Sequence, residues 1–339
     1  MRIRVGLIGL GEAWETRYRS ALLGLADRFE VRAVCAEVAQ RAHQAAREFG
    51  AEAIDGFRAL AARPDIDAVL MLSSLWYGAV PILAACEAGK AVYCGSSVGI
   101  DLAQAREVKQ RVEDSGIAFM VEFPRRYAPA TVRLKELIAT RLGPPRLLFA
   151  HLRLPARGRA RPRDGAADDD VARELVQLVD WCRYVVGQEP TSVFSVRHSA
   201  PPATGGCDYQ MMSLDFSAAE SPGSGATAQI SCGRYMPASW PEAITFRPPA
   251  ALQVACDKGI AFVDLPSSLT WFDEAGRHLE SLEDERPLGE LLLTRFHRAV
   301  TSLVRKTDDL RDAYSAIRIA ACATQSFQEG RRIPLAQCV

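Results

Sequence analysis

The feature that most constrains the fold of this chain is a glycine-rich turn directly after its first apolar segment. Residues 4–9 read Arg-Val-Gly-Leu-Ile-Gly, a pattern typical of a buried strand, and Leu10 and Gly11 follow. A helix is predicted over residues 16–25. This order predicts a dinucleotide-binding unit, because glycines let the main chain approach a diphosphate and a helix N-terminus donates N–H groups to it.

Two interpretations of this turn stay open, because the pattern is incomplete. Trp14 stands where the third glycine of Gly-x-Gly-x-x-Gly is usual. The alternative is a tight strand-to-helix turn in another kind of α/β protein. The placement between a strand and a helix favours dinucleotide binding. The residues predicted to hold the cofactor in this turn are Gly9, Leu10, Gly11, Glu12 and Ala13.

Residues 2–120 alternate short apolar runs with helical segments, which is typical of βαβ units around a parallel sheet. The predicted strands are residues 4–9, 30–35, 68–72, 91–94 and 118–121, and helices are predicted over residues 41–49, 79–88 and 102–114. Parallel sheets bind ligands beyond the carboxyl ends of their strands. Further cofactor-binding residues are therefore predicted after the strand ends, namely Glu37, Ser73, Ser74, Gly95 and Ser96.

Glu37 bears on the choice between NAD and NADP. It follows the second predicted strand, two residues after Cys35. An acidic side chain near this point accepts the ribose 2′-hydroxyl of NAD and repels the 2′-phosphate of NADP. A solvated glutamate at a helix start is the alternative. The predicted cofactor is therefore NAD or NADP, with NAD favoured.

The balance of charge excludes several classes of partner. Lys plus Arg and Asp plus Glu each total 41, so the formal net charge is zero and no overall field attracts nucleic acid or anionic lipid. No segment approaches the roughly 20 apolar residues of a membrane span, and no leader precedes the first strand. We therefore expect a cytoplasmic protein that binds a small molecule, with no nucleic-acid or membrane partner.

Neither the cysteines nor the histidines predict a metal site. The nine cysteines are scattered without a Cys-x-x-Cys pair, and the five histidines lie far apart in the sequence. The same scatter argues against a disulfide framework. We expect no metal and mostly reduced cysteines that pack in the core.

The second half of the chain changes character, and a domain boundary is predicted between residues 122 and 123. Helices are predicted over residues 131–138, 171–186, 288–304 and 308–329, and strands over residues 146–154, 191–196, 211–216, 226–232, 251–254, 259–263 and 269–272. The predicted fold class is α/β. Residues 1–122 form an N-terminal Rossmann doubly wound parallel sheet, and residues 123–339 form a C-terminal α+β domain with a largely antiparallel open sheet.

Motifs in a fixed order connect both halves to one family. They are Gly9-Leu-Gly11, Asp65-Ile-Asp67-Ala-Val, Glu87-Ala-Gly89-Lys90-Ala-Val and Arg125-Arg126-Tyr127-Ala-Pro129. By these motifs the sequence resembles the Gfo/Idh/MocA family of sugar and inositol oxidoreductases over nearly its whole length. The resemblance implies a Rossmann domain, a C-terminal α/β domain whose open sheet mediates oligomers, and a substrate cleft between the domains. We therefore expect a homo-oligomer assembled through the C-terminal sheet.

The resemblance is interrupted at the catalytic positions of the family. Relatives carry Glu-Lys-Pro after the fourth strand, with the lysine near the nicotinamide, whereas residues 95–97 here are Gly-Ser-Ser. Relatives also place an aspartate and, four residues later, a histidine on one helix face. Arg173 and Gln177 stand at those two positions, and neither side chain shuttles protons at neutral pH.

Other groups in this region offer substitute chemistry. Tyr127 could act as an acid toward a carbonyl or imine, or it could simply pack at the domain junction. The candidate catalytic residues, which bind or polarise the substrate, are Arg126, Tyr127, Arg173 and Gln177. A basic segment contains five arginines whose guanidinium groups could hold an anionic substrate. The alternative is a solvated basic loop. The five residues are Arg153, Arg157, Arg159, Arg161 and Arg163. Trp76 and Tyr77 could stack on a planar ligand, or pack.

Three functional hypotheses follow. The first is an atypical NAD(P)-dependent oxidoreductase that acts on a small, anionic or planar substrate without the usual lysine and Asp/His groups. The second is a non-catalytic dinucleotide-binding protein that serves as a sensor or assembly partner. The third is a non-redox lyase or isomerase on the same fold.

Overall fold

The computed structural model describes residues 1–11, 13–73, 77–95, 101–156, 166–199, 208–218, 220–221, 223–237, 239–246, 249–283, 286–302 and 308–338. The chain forms two compact units. The first comprises Met1–Pro124 and Arg286–Ile317, and the second comprises Arg125–Glu285 and Arg318–Val339. The second unit therefore takes up only part of residues 123–339, because a helical segment after residue 285 folds with the first unit.

The secondary structure alternates strands and helices in the first part of the chain and is richer in strands afterwards. Up to residue 121 the elements are β1 (Ile3–Ile8), α1 (Arg19–Gly24), β2 (Phe29–Cys35), α2 (Ala39–Phe49), β3 (Glu52–Ala53), α3 (Phe57–Ala61), β4 (Ala68–Met71), α4 (Val80–Glu87), β5 (Ala91–Cys94), α5 (Leu102–Ser115) and β6 (Phe119–Val121). The elements that follow are α6 (Pro124–Tyr127), α7 (Pro129–Leu137), β7 (Pro145–Ala156), α8 (Ala166–Val186), β8 (Ser192–Ser199), β9 (Asp208–Asp215), β10 (Thr227–Pro237), α9 (Pro241–Thr245), β11 (Leu252–Cys256), β12 (Gly259–Asp264), β13 (Ser268–Asp273), β14 (Gly276–Ser281), α10 (Leu288–Thr301), α11 (Asp308–Glu329) and β15 (Ile333–Pro334).

The first unit is built on a six-stranded parallel sheet with the order β3-β2-β1-β4-β5-β6. Every residue of β4 and β5 is buried. Continuous apolar burial of this kind is typical of parallel strands covered by helices on both faces. The predicted Rossmann architecture is confirmed.

The second unit is built on a nine-stranded sheet with the order β14-β13-β12-β11-β7-β10-β9-β8-β15. β7 and β10 pair in parallel, and the other neighbours pair antiparallel. Helices cover one face, since α8 packs on β7, β9 and β10, and α7 packs on β12 and β13. The predicted, largely antiparallel sheet is therefore confirmed.

The opposite face of this second sheet carries exposed apolar side chains. Leu147 and Phe149 on β7 are 46% and 38% exposed, and Phe194 and Val196 on β8 are each 39% exposed. They line a shallow cavity together with residues of β9 and β10. We call these four residues the open apolar face.

Several short elements were not predicted from the sequence, among them β3, α3 and β14. β3 has two residues and α3 has five, so neither is long enough to show a period. β14 is an edge strand whose single large apolar residue, Leu279, is 65% exposed. An edge strand with mostly polar side chains lacks the apolar alternation on which the prediction depends.

The cysteine prediction needs one correction. Cys322 and Cys338 form a disulfide between α11 and the C-terminal segment. Six other cysteines are free, at positions 35, 86, 94, 182, 232 and 256, and Cys207 lies outside the described residues. The pair was missed because no motif marks two cysteines that the fold alone brings together. Among the helices that the structure describes, none is long and apolar enough to cross a membrane.

Candidate dinucleotide-binding site

The glycine turn lies where the first sheet reverses its strand order. β1 is flanked by β2 on one side and by β4 on the other, so the chain builds outward in both directions from β1. A crevice forms beyond the carboxyl ends of strands at such a switch point. The turn that starts at Gly9 emerges from β1 at this edge, as the sequence predicts.

Gly9 and Gly11 fit against the end of β4 so closely that larger residues are excluded. Gly9 has a φ of 73°, and a Cβ atom there would lie 2.7 Å from the carbonyl oxygen of Ser73. A Cβ at Gly11 would lie 3.0 Å from the Ser73 Cβ. The turn thus forms a tightly packed cradle in which Gly9 is required by its positive φ and Gly11 has little room for a side chain; glycines in such a turn let the main chain approach a diphosphate closely.

The helix after this turn begins with a π-helical turn over Trp14–Tyr18 and continues as α1. Trp14, at the third-glycine position, is buried, and its ring packs against Phe49 of α2 with centroids 5.8 Å apart. Its bulk is therefore accommodated between helices. Leu10 is buried and Ala13 precedes the π-helical turn, whereas Glu12, Ser74 and Ser96 lie outside the described residues.

The strand ends on the β2 side gather Cys35, Glu37 and Tyr77. The Cys35 Sγ and the Tyr77 Oη are 3.9 Å apart. Burial, together with the nearby Cys35 and Glu37, raises the pKa of the Tyr77 hydroxyl well above its usual value. Glu37 thus lies near a neutral phenol, while the Tyr77 ring packs edge-on against Phe57 at 5.4 Å. Trp76, the neighbouring aromatic candidate, is outside the described residues.

The strand ends on the opposite side hold a charged group that the sequence analysis missed. Glu122, directly after β6, is only 2% exposed, and its carboxylate accepts a short hydrogen bond from the Arg17 guanidinium. Burial raises the pKa of Glu122, whereas the guanidinium favours its ionised form. Gly95 continues from β5 beside it, with its N–H donating to Met71 at 2.8 Å. A glutamate placed one residue after an apolar strand was the available signal.

Residues 3–123 match the sequence pattern of the Gfo/Idh/MocA family, described as an oxidoreductase family with an NAD-binding Rossmann fold. This match is to the Rossmann fold of the family and covers a little over a third of the chain. It is 29% identical over 196 residues to an inositol 2-dehydrogenase of Rhizobium meliloti, and 33% identical over 199 residues to one of Acidothermus cellulolyticus. These alignments cover 57% of this chain in both cases, and 58% and 56% of the two relatives. The chain thus spans little more than half the length of these curated relatives.

Solved structures of dehydrogenases and other oxidoreductases share the fold over nearly the whole chain. A levoglucosan dehydrogenase in complex with NADH and levoglucosan superposes with a TM-score of 0.80, covering 99% of this chain and all of that one. The sequence identity is 19%. The likeness therefore extends the fold beyond the matched residues 3–123.

The four catalytic candidates from the Gfo/Idh/MocA resemblance lie on two helical segments of the second unit. Arg126 of α6 is 6% exposed, and its Nε donates to a carboxylate oxygen of Asp180 at 2.6 Å. Its guanidinium also lies over the Tyr184 ring, 5.2 Å from the centroid. These contacts hold the Arg126 side chain in the protein interior, whereas Tyr127 beside it is half-buried.

Arg173 and Gln177 lie one turn apart on α8, and both are half-buried. Glu174, between them on the same helix, accepts a hydrogen bond from the Arg125 guanidinium at 2.6 Å. This Arg125–Glu174 pair was not predicted. Of the basic segment proposed for an anionic substrate, Arg153 donates to the Phe246 carbonyl oxygen at 3.2 Å, and residues 157–163 lie outside the described residues. The described part of the chain contains no cluster of His, Cys, Asp and Glu that could hold a metal ion.

Proposed function

We propose that this protein is an NAD(P)-dependent oxidoreductase that acts on a small, sugar-like substrate. The observation that carries the proposal is the cradle of Gly9 and Gly11 at the switch point between β1 and β4. A Cβ atom at either position would press on Ser73, so the two glycines let the turn lie close against the end of β4 at the switch point, as a turn that binds a diphosphate does, and the residues present fit the cofactor. A bound nicotinamide would supply hydride transfer, which the twenty side chains do not provide.

The substrate class is inferred from relatives. Inositol 2-dehydrogenases match a little over half of the chain, and a levoglucosan dehydrogenase shares its fold. Polyols and cyclic sugars are therefore the first compounds to consider, with anionic or planar carbonyl compounds next. Glu37 near the end of β2 favours NAD as the cofactor, because its carboxylate repels a 2′-phosphate.

In this proposal the second unit binds and polarises the substrate. Tyr127, Arg173 and Gln177 are half-buried and keep this role, with the Tyr127 hydroxyl as the proton donor toward a carbonyl. Arg126 is better assigned to holding α6 and α8 together, since its guanidinium is buried against Asp180. Reduction of a carbonyl or imine needs only such a pocket and a weak acid, so the absence of a lysine at position 96 is compatible with redox activity.

A titration of the purified protein with NADH and NADPH, followed by ligand fluorescence, tests the cofactor site. We expect micromolar binding that Gly9→Ala and Gly11→Asp abolish, because their side chains enter the cradle beside Ser73. Gly50→Ala is the matched control. Gly50 also has a positive φ, of 63°, but a Cβ there has no atom within 4 Å, and it lies at the end of α2.

Gly50→Ala should therefore cost stability through backbone strain and leave NADH binding intact. Binding by the unaltered protein would justify measuring NADH formation with polyols and sugars and NADH consumption with carbonyl compounds. Binding without turnover of either set would favour the non-catalytic alternative. Turnover that is independent of any dinucleotide would favour a lyase or isomerase, and no dinucleotide binding at all would refute the proposal.

We also propose that the protein forms a homo-oligomer through the open apolar face of the second sheet. Exposed Leu147, Phe149, Phe194 and Val196 form one contiguous patch beside the shallow cavity. Contiguous apolar patches on a sheet are typical of protein interfaces. A second copy of the chain is the occupant proposed for this face.

A further inference from the structure

The Arg17–Glu122 pair has no part in the proposed chemistry, yet it lies at the cofactor edge of the first sheet. Glu122 continues the β5–β6 ladder, its N–H donating to the Cys94 carbonyl oxygen at 2.8 Å. Its side chain is 1% exposed, and that of Arg17 is 28% exposed. Burial of a carboxylate is unfavourable unless a cation and hydrogen bonds compensate it, so a buried glutamate at this position calls for an explanation.

The space beside Gly95, at the end of β5, is already occupied by other side chains. A Cβ atom at this position would lie 2.5 Å from the Tyr18 Oη and 3.3 Å from a Glu122 carboxylate oxygen. Side chains from the π-helical turn and from the residue after β6 therefore fill the volume that a side chain at residue 95 would take. The carboxylate beside the end of β5 is supplied by the neighbouring strand.

Arg17 belongs to the same helical segment as the glycine turn. It lies six residues after Gly11, within the π-helical turn Trp14–Tyr18. The main chain of Arg17 also contacts the start of α10, where a Cβ at Gly289 would lie 2.7 Å from the Arg17 carbonyl oxygen. The segment is thus held from one side by Glu122 and from another by α10. Single π-helical turns are frequent at functional sites, where they re-aim side chains.

We propose that Glu122 is a positioning residue of the cofactor site, whose carboxylate holds Arg17 and thereby fixes the helical segment that follows the glycine turn against the ends of β5 and β6. This inference rests on the proposed function, because it assigns Glu122 to the binding of a dinucleotide in the cradle. Glu122 itself is buried, at 2% exposed. Its effect on binding is transmitted through the helical segment that carries both Arg17 and the start of the cofactor turn.

The test compares NADH affinity and stability in paired variants. Glu122→Gln keeps the size of the side chain and removes its charge, and we expect it to raise the NADH dissociation constant roughly tenfold. Asp67→Asn is the matched control, because Asp67 also pairs with an arginine, Arg4, in the same unit. Asp67 precedes β4 at the opposite edge of the sheet, so this variant should lose stability, measured by urea unfolding, without losing affinity.

If Glu122→Gln does not fold, variants of Arg17 provide an independent test. Arg17→Gln should weaken NADH binding to a similar extent, and Arg17→Lys, which keeps a cation opposite Glu122, should restore part of it. Such a rescue is not expected of a residue that only fills space. Unchanged NADH affinity in folded Glu122→Gln and Arg17→Gln would overturn this inference alone. Failure of the unaltered protein to bind any dinucleotide would overturn the proposed function and this inference together.

Discussion

At the scale of single residues, Tyr18 and Gly95 depend on each other. The Tyr18 side chain is fully buried, and its hydroxyl makes no hydrogen bond to the described part of the chain. Its ring packs edge-on against Tyr93, with centroids 5.9 Å apart. The ring therefore contributes apolar packing, while the hydroxyl mainly occupies space next to the Gly95 main chain.

A double-mutant cycle measures this dependence. Gly95→Ala should lower the free energy of unfolding by about 1–3 kcal/mol, because its methyl group would overlap the Tyr18 hydroxyl. Tyr18→Phe alone should be close to neutral, since it removes a buried hydroxyl without a partner. The double variant should recover part of the Gly95→Ala loss, as measured by urea unfolding. Strict additivity of the two changes would show that the two residues are independent.

The candidate site was predictable in part at this scale. Gly9 and Gly11 were predicted because the strand, the glycine turn and the helix follow one another directly in the sequence, and Gly9 has the positive φ that such a turn needs. Glu122 and Arg17 were missed because they are 105 residues apart, and only the sheet brings them together. The partner of Arg126 could not be predicted either, because Asp180 is 54 residues further along the chain. Without that partner, the sequence left Arg126 as a candidate for substrate binding.

At the scale of elements, charged pairs connect the amino ends of neighbouring strands. Arg4 at the start of β1 donates to both carboxylate oxygens of Asp67, which precedes β4. This hydrogen bonding lowers the pKa of Asp67. A carboxylate whose pKa is lower in the folded state stabilises the fold above its unfolded-state pKa, and this contribution is lost as the pH falls through the folded-state value.

Asp67→Asn should therefore destabilise the protein most at neutral pH. The difference in unfolding free energy between the unaltered protein and the variant should shrink as the pH falls below about 4, the usual pKa of an unfolded aspartate. Urea unfolding at a series of pH values measures it, with Asp27→Asn, at a 73% exposed side chain, as the control. A difference that stays constant from neutral to acidic pH would contradict this explanation.

Element prediction succeeded where the apolar period was long and failed where it was short. β4 is a continuous, fully buried apolar run, and β1 and β2 are mostly apolar and mostly buried, so all three were predictable from the sequence. β14 is rich in polar residues, and two of them have partners on β13 and α7: the His278 ring stacks on Trp271 at 3.7 Å, and Glu280 accepts a hydrogen bond from Arg133 at 2.7 Å. A strand whose polar side chains are stabilised by such tertiary contacts lacks the alternation of apolar and polar residues from which strands are predicted.

At the scale of the whole molecule, the open apolar face bears on the oligomeric state of the protein. Phe149→Lys would place a charge in the middle of the proposed interface, and we expect it to shift the oligomer to smaller species in size-exclusion chromatography with light scattering. Leu279→Lys is the control, because Leu279 is an exposed apolar residue of the same sheet that does not line the cavity. An unaltered protein that is already monomeric would refute the proposed interface.

The division of the chain into units has a consequence for its synthesis. The sheet of the first unit is complete once residue 121 has been made, but α10, which packs on α1 and β6, is encoded after the entire Arg125–Glu285 stretch. On the ribosome, the strands of the Rossmann sheet are therefore synthesised well before α10, with the Arg125–Glu285 stretch of the second unit translated in between. The apolar side of α10, including Leu292, Leu293 and Phe296, is what finally covers it, so a stalled or truncated nascent chain would present that uncovered surface to chaperones.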